Sequence, residues 1–188
     1  SILEIGSNDG YFLKYFSDSK VVIGVEPTKG PAEAAIKAGI KTKIDFFNHD
    51  VAAEIIKEEG QFDLVLSNNM LAHTPDLRSV LSGVRNSLKA KGKFIVEVQY
   101  ASEMFLYGKF DTVYHEHFCY YTISSASNVF KNNGLYIFDA ELLNTHGGSI
   151  RLFASKENLP TTDRLKNLLE REIESFSTGN VYKNFFKD

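Results

Sequence analysis

Residues 3–12 read LEIGSNDGYF, which sets Gly6 and Gly10 in a short polar turn after an apolar run, with Glu4 ahead of the first glycine and Asp9 ahead of the second. At the end of a buried strand such a turn lets the backbone bend tightly and approach a ligand, and the N–H groups of a following helix are free to bind it. The spacing lacks the three glycines of G-x-G-x-x-G, and no Lys-Ser or Lys-Thr pair follows as in a P-loop. Asp9 would also repel a pyrophosphate. Carboxylates at this turn suit a cofactor that carries positive charge, such as the ammonium and sulfonium groups of S-adenosylmethionine. A second apolar run, VVIGV at 21–25, leads into Glu26 and Pro27. An acid there can accept hydrogen bonds from both hydroxyls of a free ribose. The candidate cofactor set is therefore Glu4, Gly6, Ser7, Asn8, Asp9, Gly10, Glu26 and Pro27, joined by Asn68 at the end of FDLVLSN. Asn68 and Asn69 either form a plain turn or touch the methionine end of the cofactor.

A second group of reactive side chains lies further along. His73 sits in SNNMLAHTPDL, and Tyr114, His115, Glu116 and His117 follow one another in DTVYHEHFCYY. Histidine titrates near neutral pH and a carboxylate can orient and tune it, so this pattern suits proton transfer. If residues 115–119 form a strand, His115, His117 and Cys119 share one face, where they either pack, form hydrogen bonds or gather a metal. The aromatic stretch from Phe105 to Tyr121 is core, lid or a stacking surface for sugars and bases. His146, Gly147, Gly148 and Arg151 make either a hairpin turn or part of a substrate pocket.

These residues need a scaffold at one end of which they can meet. Short, continuous apolar runs at 1–5 and 21–25 read as strands buried on both faces, further strands fit 41–44, 62–68 and 93–99, helices fit 9–16, 31–38 and 51–57, and helical spacing runs from Asp76 through Leu88. Strict alternation of strand and helix implies right-handed crossovers and a parallel sheet covered on both faces. Beyond the aromatic stretch, a helix fits 124–132, and LYIFDAELL and SIRLFAS can pair as antiparallel strands. A last amphipathic helix over 161–176 presents Leu165, Leu168, Leu169 and Ile173 on one face. The expected fold is a doubly wound, mostly parallel seven-stranded α/β sheet with an antiparallel final strand.

Composition narrows the classes of function. The 188 residues are 43% hydrophobic and 24% charged, with a net charge of -3 and a single cysteine, Cys119. That is a globular composition with no basic footprint for nucleic acid and no possible internal disulfide. The apolar runs are strand-sized, too short to cross a bilayer, and no basic segment leads into an apolar one at the start; a cytoplasmic location is expected.

The pair E-x-G-x-x-x-G and GVEPT resembles the class I S-adenosylmethionine-dependent methyltransferases. The fuller set EIGSNDGYFL, GVEPT, SNNMLAHTPDL, DTVYHEHFCYY and NTHGGSIRLF is similar to the sugar C-methyltransferases of deoxysugar biosynthesis, which methylate carbon 3 of a nucleotide-linked keto sugar. The resemblance implies S-adenosylmethionine as cofactor, S-adenosylhomocysteine as product and no catalytic metal. A sugar carbon becomes nucleophilic when an adjacent ketone lets its proton leave, so the site must supply a base. His117 is the expected base. Tyr114 and Glu116 match positions that contact the sugar or support proton transfer, and His73 matches a further active-site position. The family also carries a zinc-binding domain before the first motif and a further domain at the C-terminal end. Residues 1–160 are thus expected to be a catalytic core and 161–188 a helix leading to that further domain, with slow turnover expected of the core alone.

Overall fold

The computed structural model describes residues 1–16, 21–109, 112–179 and 182, with His146 described by its backbone alone. The strands are β1 (Ile2–Ile5), β2 (Val22–Val25), β3 (Lys41–Lys43), β4 (Phe62–Asn68), β5 (Leu88–Gln99), β6 (Tyr136–Leu143) and β7 (Ser149–Ser155). They form one sheet in the order β3-β2-β1-β4-β5-β7-β6. Strands β1 to β5 pair parallel, and β7 lies antiparallel between β5 and β6. The crossovers are α1 (Lys29–Lys37), α2 (His49–Glu59) and α3 (Leu77–Ser87); α4 (Ala101–Leu106) and α5 (Ile123–Asn132) follow β5, and α6 (Asp163–Ser177) follows β7. This is the doubly wound, mostly parallel sheet that the alternating pattern predicts.

Alternation along β1 sends Leu3 and Ile5 into a large core with Val65, Phe94, Val96 and Phe130. Ile2 joins Leu13, Ala35, Ile40 and Leu66 on the opposite face of the sheet. Glu4 falls on the same face as Ile2 by the two-residue period, which buries an acid in the middle of the sheet. Polar side chains start the helices: Asn48 caps α2, Asp76 caps α3, Thr122 and Ser125 form a capping box on α5, and Thr162 caps α6.

Several elements differ from expectation for identifiable reasons. The helix expected over 9–16 is one short 3-10 turn, Leu13–Phe16, because Gly6, Asn8 and Gly10 all have positive φ and no helix can start before Gly10 has turned the chain. Gly92 does not separate α3 from β5. The strand already begins at Leu88, bulges against Phe62, and needs glycine at 92 because a Cβ there would lie 2.8 Å from the Phe62 carbonyl oxygen. Helix α4, at Ala101–Leu106, begins between the fifth strand and the aromatic stretch, where no element is expected from the sequence. Residues 115–119 are a turn and irregular chain, so alternation does not give His115, His117 and Cys119 a common face. Positions 110 and 111 of that stretch, and 180, 181 and 183–188 of the expected C-terminal segment, lie outside the described residues. Among the described residues no helix is long and apolar enough to cross a membrane.

The largest departure is on α6. Ile173 is 59% exposed, while Glu172, one position earlier, is 4% exposed. Leu165, Leu168 and Glu172 follow the helical repeat along the buried stripe, and the carboxylate is there because four donors require it. Its Oε2 accepts from the Tyr100 hydroxyl at 2.9 Å and the Ile123 N–H at 2.7 Å. Its Oε1 accepts from the N–H of Ser124 at 2.9 Å and from the Ser124 hydroxyl. The two N–H groups belong to the first turn of α5, where no carbonyl of that helix can reach them. Burial and the neighbouring carboxylate raise the Tyr100 phenol pKa, so it remains a donor. Tyr100 and Tyr121 also form an isolated parallel bridge, with the Ala101 N–H donating to the Tyr121 carbonyl at 2.9 Å. The insert between β5 and α5 is therefore closed at a neck, and Glu172 holds both sides of it. Glu172→Ala should lower stability by roughly 2–4 kcal/mol, because it leaves buried donors unpaired. Glu172→Gln should cost less. Urea unfolding checks both, and an unchanged midpoint for the alanine variant would contradict this role.

Candidate functional site

The turn after β1 and the end of β2 build one half of the site. Gly6 and Gly10 each have φ +74°, and Asn8 has φ +52°, so three left-handed positions fold the chain back across the sheet edge. The closeness that the two glycines permit is to the protein itself. A Cβ on Gly6 would lie 3.1 Å from Met70, and one on Gly10 would lie 3.1 Å from Ile40 and 3.2 Å from Ala35. Ser7 is turned inward: its hydroxyl is buried beneath Gly24 and its N–H donates to the Val25 carbonyl, so it shapes the turn from below.

Glu26 is 8% exposed and ties the turn to β2, its Oε2 accepting from the Asn8 N–H at 3.1 Å and its Oε1 from the Thr28 N–H at 2.8 Å. Each carboxylate oxygen has a second lone pair to offer. Pro27 is half-buried beside it, and Asp9 is exposed with its carboxylate accepting from the Tyr11 N–H at 3.1 Å. Glu4, 2% exposed, accepts from Asn68 Nδ2 at 3.2 Å through one oxygen, while its other oxygen is buried without a protein partner. Burial raises its pKa to about 7, against the lowering effect of Asn68. A buried, half-satisfied acid with two further carboxylates nearby in sequence and fold suits a cationic cofactor, and S-adenosylmethionine fits this set.

The other half of the site lies beyond β4 and β5. A cavity of about 290 Å³ is lined by Asn69, His73, Gln99, Thr112, Tyr114 and His117, with Ala72 and Val98 as its apolar wall. Asn69 reaches it through a left-handed backbone, φ +53°, held by an N–H bond to the Glu97 carbonyl at 2.9 Å. His73 comes from a single 3-10 turn, Leu71–His73, and its ring meets that of His117 edge to face at 4.7 Å. The segment carrying His117 is fastened to that turn by Phe118, whose N–H donates to the Ala72 carbonyl at 2.8 Å.

His117 Nδ1 is 3.1 Å from the Thr112 carbonyl, and Nε2 is 2.8 Å from the Tyr114 hydroxyl. A carbonyl only accepts, so Nδ1 carries the proton and Nε2 of the neutral ring holds the lone pair, which receives the Tyr114 O–H. Burial lowers the His117 pKa and His73 lowers it further, against the Thr112 carbonyl and Glu116. The ring is thus kept neutral and basic near pH 7. Glu116 itself is exposed and acts on His117 through space, and His115 is exposed on the same turn. Among the described residues no three His, Cys, Asp or Glu side chains converge on a point where a metal could bind.

The structure thus brings His73, Tyr114 and His117 to one cavity and places Glu4, Asp9, Glu26 and Asn68 around the neighbouring turn. Arg151 is not at the cavity in this arrangement: it pairs with Glu97 at 3.2 Å and Glu141 at 3.5 Å. The sequence reading missed Thr112 and Gln99. Thr112 contributes its carbonyl to His117, which no side-chain pattern reveals. Gln99 ends a buried strand at the ligand-binding edge, which is the same positional signal that drew attention to Glu26.

Comparison with known proteins identifies the family and the fold. Residues 1–139 match the profile of the methyltransferase domain family. The chain is 37% identical over 155 residues to the C-methyltransferase NovU of Streptomyces niveus, an alignment covering 82% of this chain and 37% of that protein. A Thermotoga maritima S-adenosylmethionine-dependent methyltransferase, described as a possible histamine N-methyltransferase, superposes with a TM-score of 0.62 at 19% identity, over 83% of this chain and 81% of that one. The magnesium protoporphyrin IX methyltransferase of Synechocystis PCC 6803, solved with bound S-adenosylmethionine, gives 0.58 at 13% identity, over 81% and 68%. The two structural likenesses establish the fold. With the family profile matched over most of its length, the chain belongs to the methyltransferase domain family, whose methyl donor is S-adenosylmethionine.

Proposed function

We propose that the chain is the core of a C-methyltransferase that moves a methyl group from S-adenosylmethionine to carbon 3 of a nucleotide-activated keto-deoxysugar. The observation that carries this reading is the neutral His117, with its Nε2 lone pair on a cavity beside the cofactor turn; the likeness to a C-methyltransferase supports it. Glu26 would accept from the ribose hydroxyls, and Glu4, Asp9 and Asn68 would face the charged end of the cofactor, around Gly6, Asn8, Gly10 and Pro27. When bound, the cofactor supplies an electrophilic methyl group.

The rest of the reaction falls to the chain's own residues. In the free protein the Tyr114 hydroxyl occupies the His117 lone pair, so an arriving keto sugar must displace it. Nε2 then takes the proton from the carbon next to the ketone, and the electron pair left behind moves onto the ketone oxygen as an enolate. The freed Tyr114 O–H, or His73, donates to that oxygen as its charge develops. Thr112 accepts from Nδ1–H throughout, which stabilises the imidazolium as it forms. The enolate carbon would be the acceptor for the methyl group that a bound cofactor would supply, the methyl–sulfur bond breaking to leave S-adenosylhomocysteine, and the proton on Nε2 is lost to solvent after product release. Incubating the intact protein with methyl-labelled cofactor and a panel of nucleotide keto sugars tests the reading. Label found on oxygen or nitrogen would overturn it.

Glu26→Ala should weaken cofactor binding by about 1–3 kcal/mol, the cost of losing hydrogen bonds to a charged acceptor. Calorimetry checks this, and unchanged affinity would move the ribose elsewhere. For Glu4, a folded pKa of about 7 against the ordinary 4.5 means that the folded protein holds more protons than the unfolded chain between these values. Its contribution to stability is complete below pH 4.5 and lost as pH rises through about 7. Glu4→Gln should flatten that slope in unfolding measured across the window, and cofactor binding near neutral pH should release a proton from the native protein, detectable in buffers of different ionisation heat.

His117→Asn should leave cofactor affinity intact while slowing both turnover and exchange of the sugar carbon proton with deuterated water. In the native enzyme the acid limb of the pH–rate profile should fall below 6.5, and His73→Asn should move it upward by removing a repulsive neighbour. Exchange at the native rate in His117→Asn would show that another group is the base.

A further inference from the structure

Gln99 is the last residue of β5, and its backbone is paired in register with Ser149 on β7. Its side chain lines the cavity that also holds Asn69, Tyr114 and His117. The Oε1 atom is buried and has no hydrogen-bond partner in the protein. A buried acceptor left in that state is costly, and native proteins keep one where a ligand or water supplies the missing donor. The adjacent polar group on the same edge is already committed: Glu97, two residues earlier, accepts from Thr145 Oγ1 at 2.9 Å and from Arg151 at 3.2 Å. Gln99 is a cavity-lining residue of β5 whose side-chain oxygen has bonding capacity unused.

We propose that Gln99 is a specificity-determining residue that binds the acceptor, its side-chain carbonyl accepting a hydrogen bond from a hydroxyl or N–H of the acceptor molecule. This rests on the reading of the cavity as the acceptor site and adds which chain group reads the acceptor's donors. The choice of an amide has a chemical reason. A carboxylate at this place would hold His117 in its protonated form and oppose a negative charge growing on the ketone oxygen. A neutral amide accepts the same hydrogen bond and leaves both intact. In the free protein this oxygen is closed off from solvent, so rotation of the Gln99 side chain must present it to the cavity, where an acceptor hydroxyl or N–H supplies the missing bond.

The test uses the intact protein, methyl-labelled S-adenosylmethionine, and keto-deoxyhexoses linked to thymidine or uridine diphosphate in which each ring hydroxyl is replaced in turn by hydrogen. Gln99→Leu should lower kcat/KM by roughly tenfold to a hundredfold on the fully hydroxylated sugar, carried by KM, with cofactor affinity unchanged. On one deoxy analogue the native and variant enzymes should converge, since that analogue lacks the donor that Gln99 reads. The thermal midpoint of ligand-free Gln99→Leu should equal or exceed the native value, because an unpartnered acceptor has been removed, whereas a structural glutamine would show a drop. Native activity on every sugar, an equal loss on all of them, a lowered midpoint or weakened cofactor binding would each overturn the role of Gln99. A native protein that methylates none of the sugars would instead sink the substrate reading, and this inference with it.

Discussion

One carboxylate governs how the half of the candidate site around His117 is held. Glu172 reaches from α6 to Tyr100 and to the first turn of α5, the two places where the insert between β5 and α5 leaves and rejoins the fold. Everything that His117 needs lies on that insert or against it: the Thr112 carbonyl, the Tyr114 hydroxyl, and the Ala72 carbonyl that holds Phe118. A segment of this kind has few helical or sheet bonds of its own, so its geometry must be imposed at its ends and at one or two points between. Glu172 imposes it at the ends. The anchor therefore belongs to α6, far in sequence from the residues it positions.

The sheet does the corresponding work for the cofactor half. The parallel strands bring the ends of β1, β2, β4 and β5 to one edge, so the turn carrying Gly6 and Gly10, the acid Glu26, and Asn68 meet there, and the bonds from Asn8 to Glu26 and from Asn68 to Glu4 then fasten them. Glu4 is the exception, because it lies within the strand. Its burial holds an acid near its neutral form in the free protein, so the free site carries less negative charge than its acid content suggests. A cation arriving beside it shifts the proton equilibrium in its own favour.

Much of the fold was legible because its signals are local. Strand β4 agrees with the expected run residue for residue, and Asp76 caps α3 where the helix was read to begin. The failures share a cause in tertiary contact. Positive φ at Gly6, Asn8 and Gly10 suppresses the early helix, the Phe62 carbonyl keeps Gly92 inside a strand, and the donors around α5 draw Glu172 inward where an apolar stripe predicts Ile173. At the site, side chains with distinctive chemistry could be picked out: Glu26, His73, Tyr114 and His117. The inward turn of the Ser7 hydroxyl was not legible, because a hydroxyl in a glycine turn looks the same in sequence whether it faces outward or packs beneath Gly24. The Thr112 carbonyl left no trace at all, since every residue carries one.

Asn68 and Asn69 are consecutive, yet the first bonds Glu4 beside the glycine turn and the second lines the His117 cavity. One peptide unit, bent by the left-handed backbone at Asn69, is thus shared by both halves of the site. Because side chains alternate along β4, inserting or deleting a single residue near its end would exchange the faces of the two asparagines and undo both halves together. Length at this point should be far less free to vary during evolution than residue type, and the spacing from the last buried position of β4 to His73 becomes a ruler that links the glycine turn to the His117 cavity.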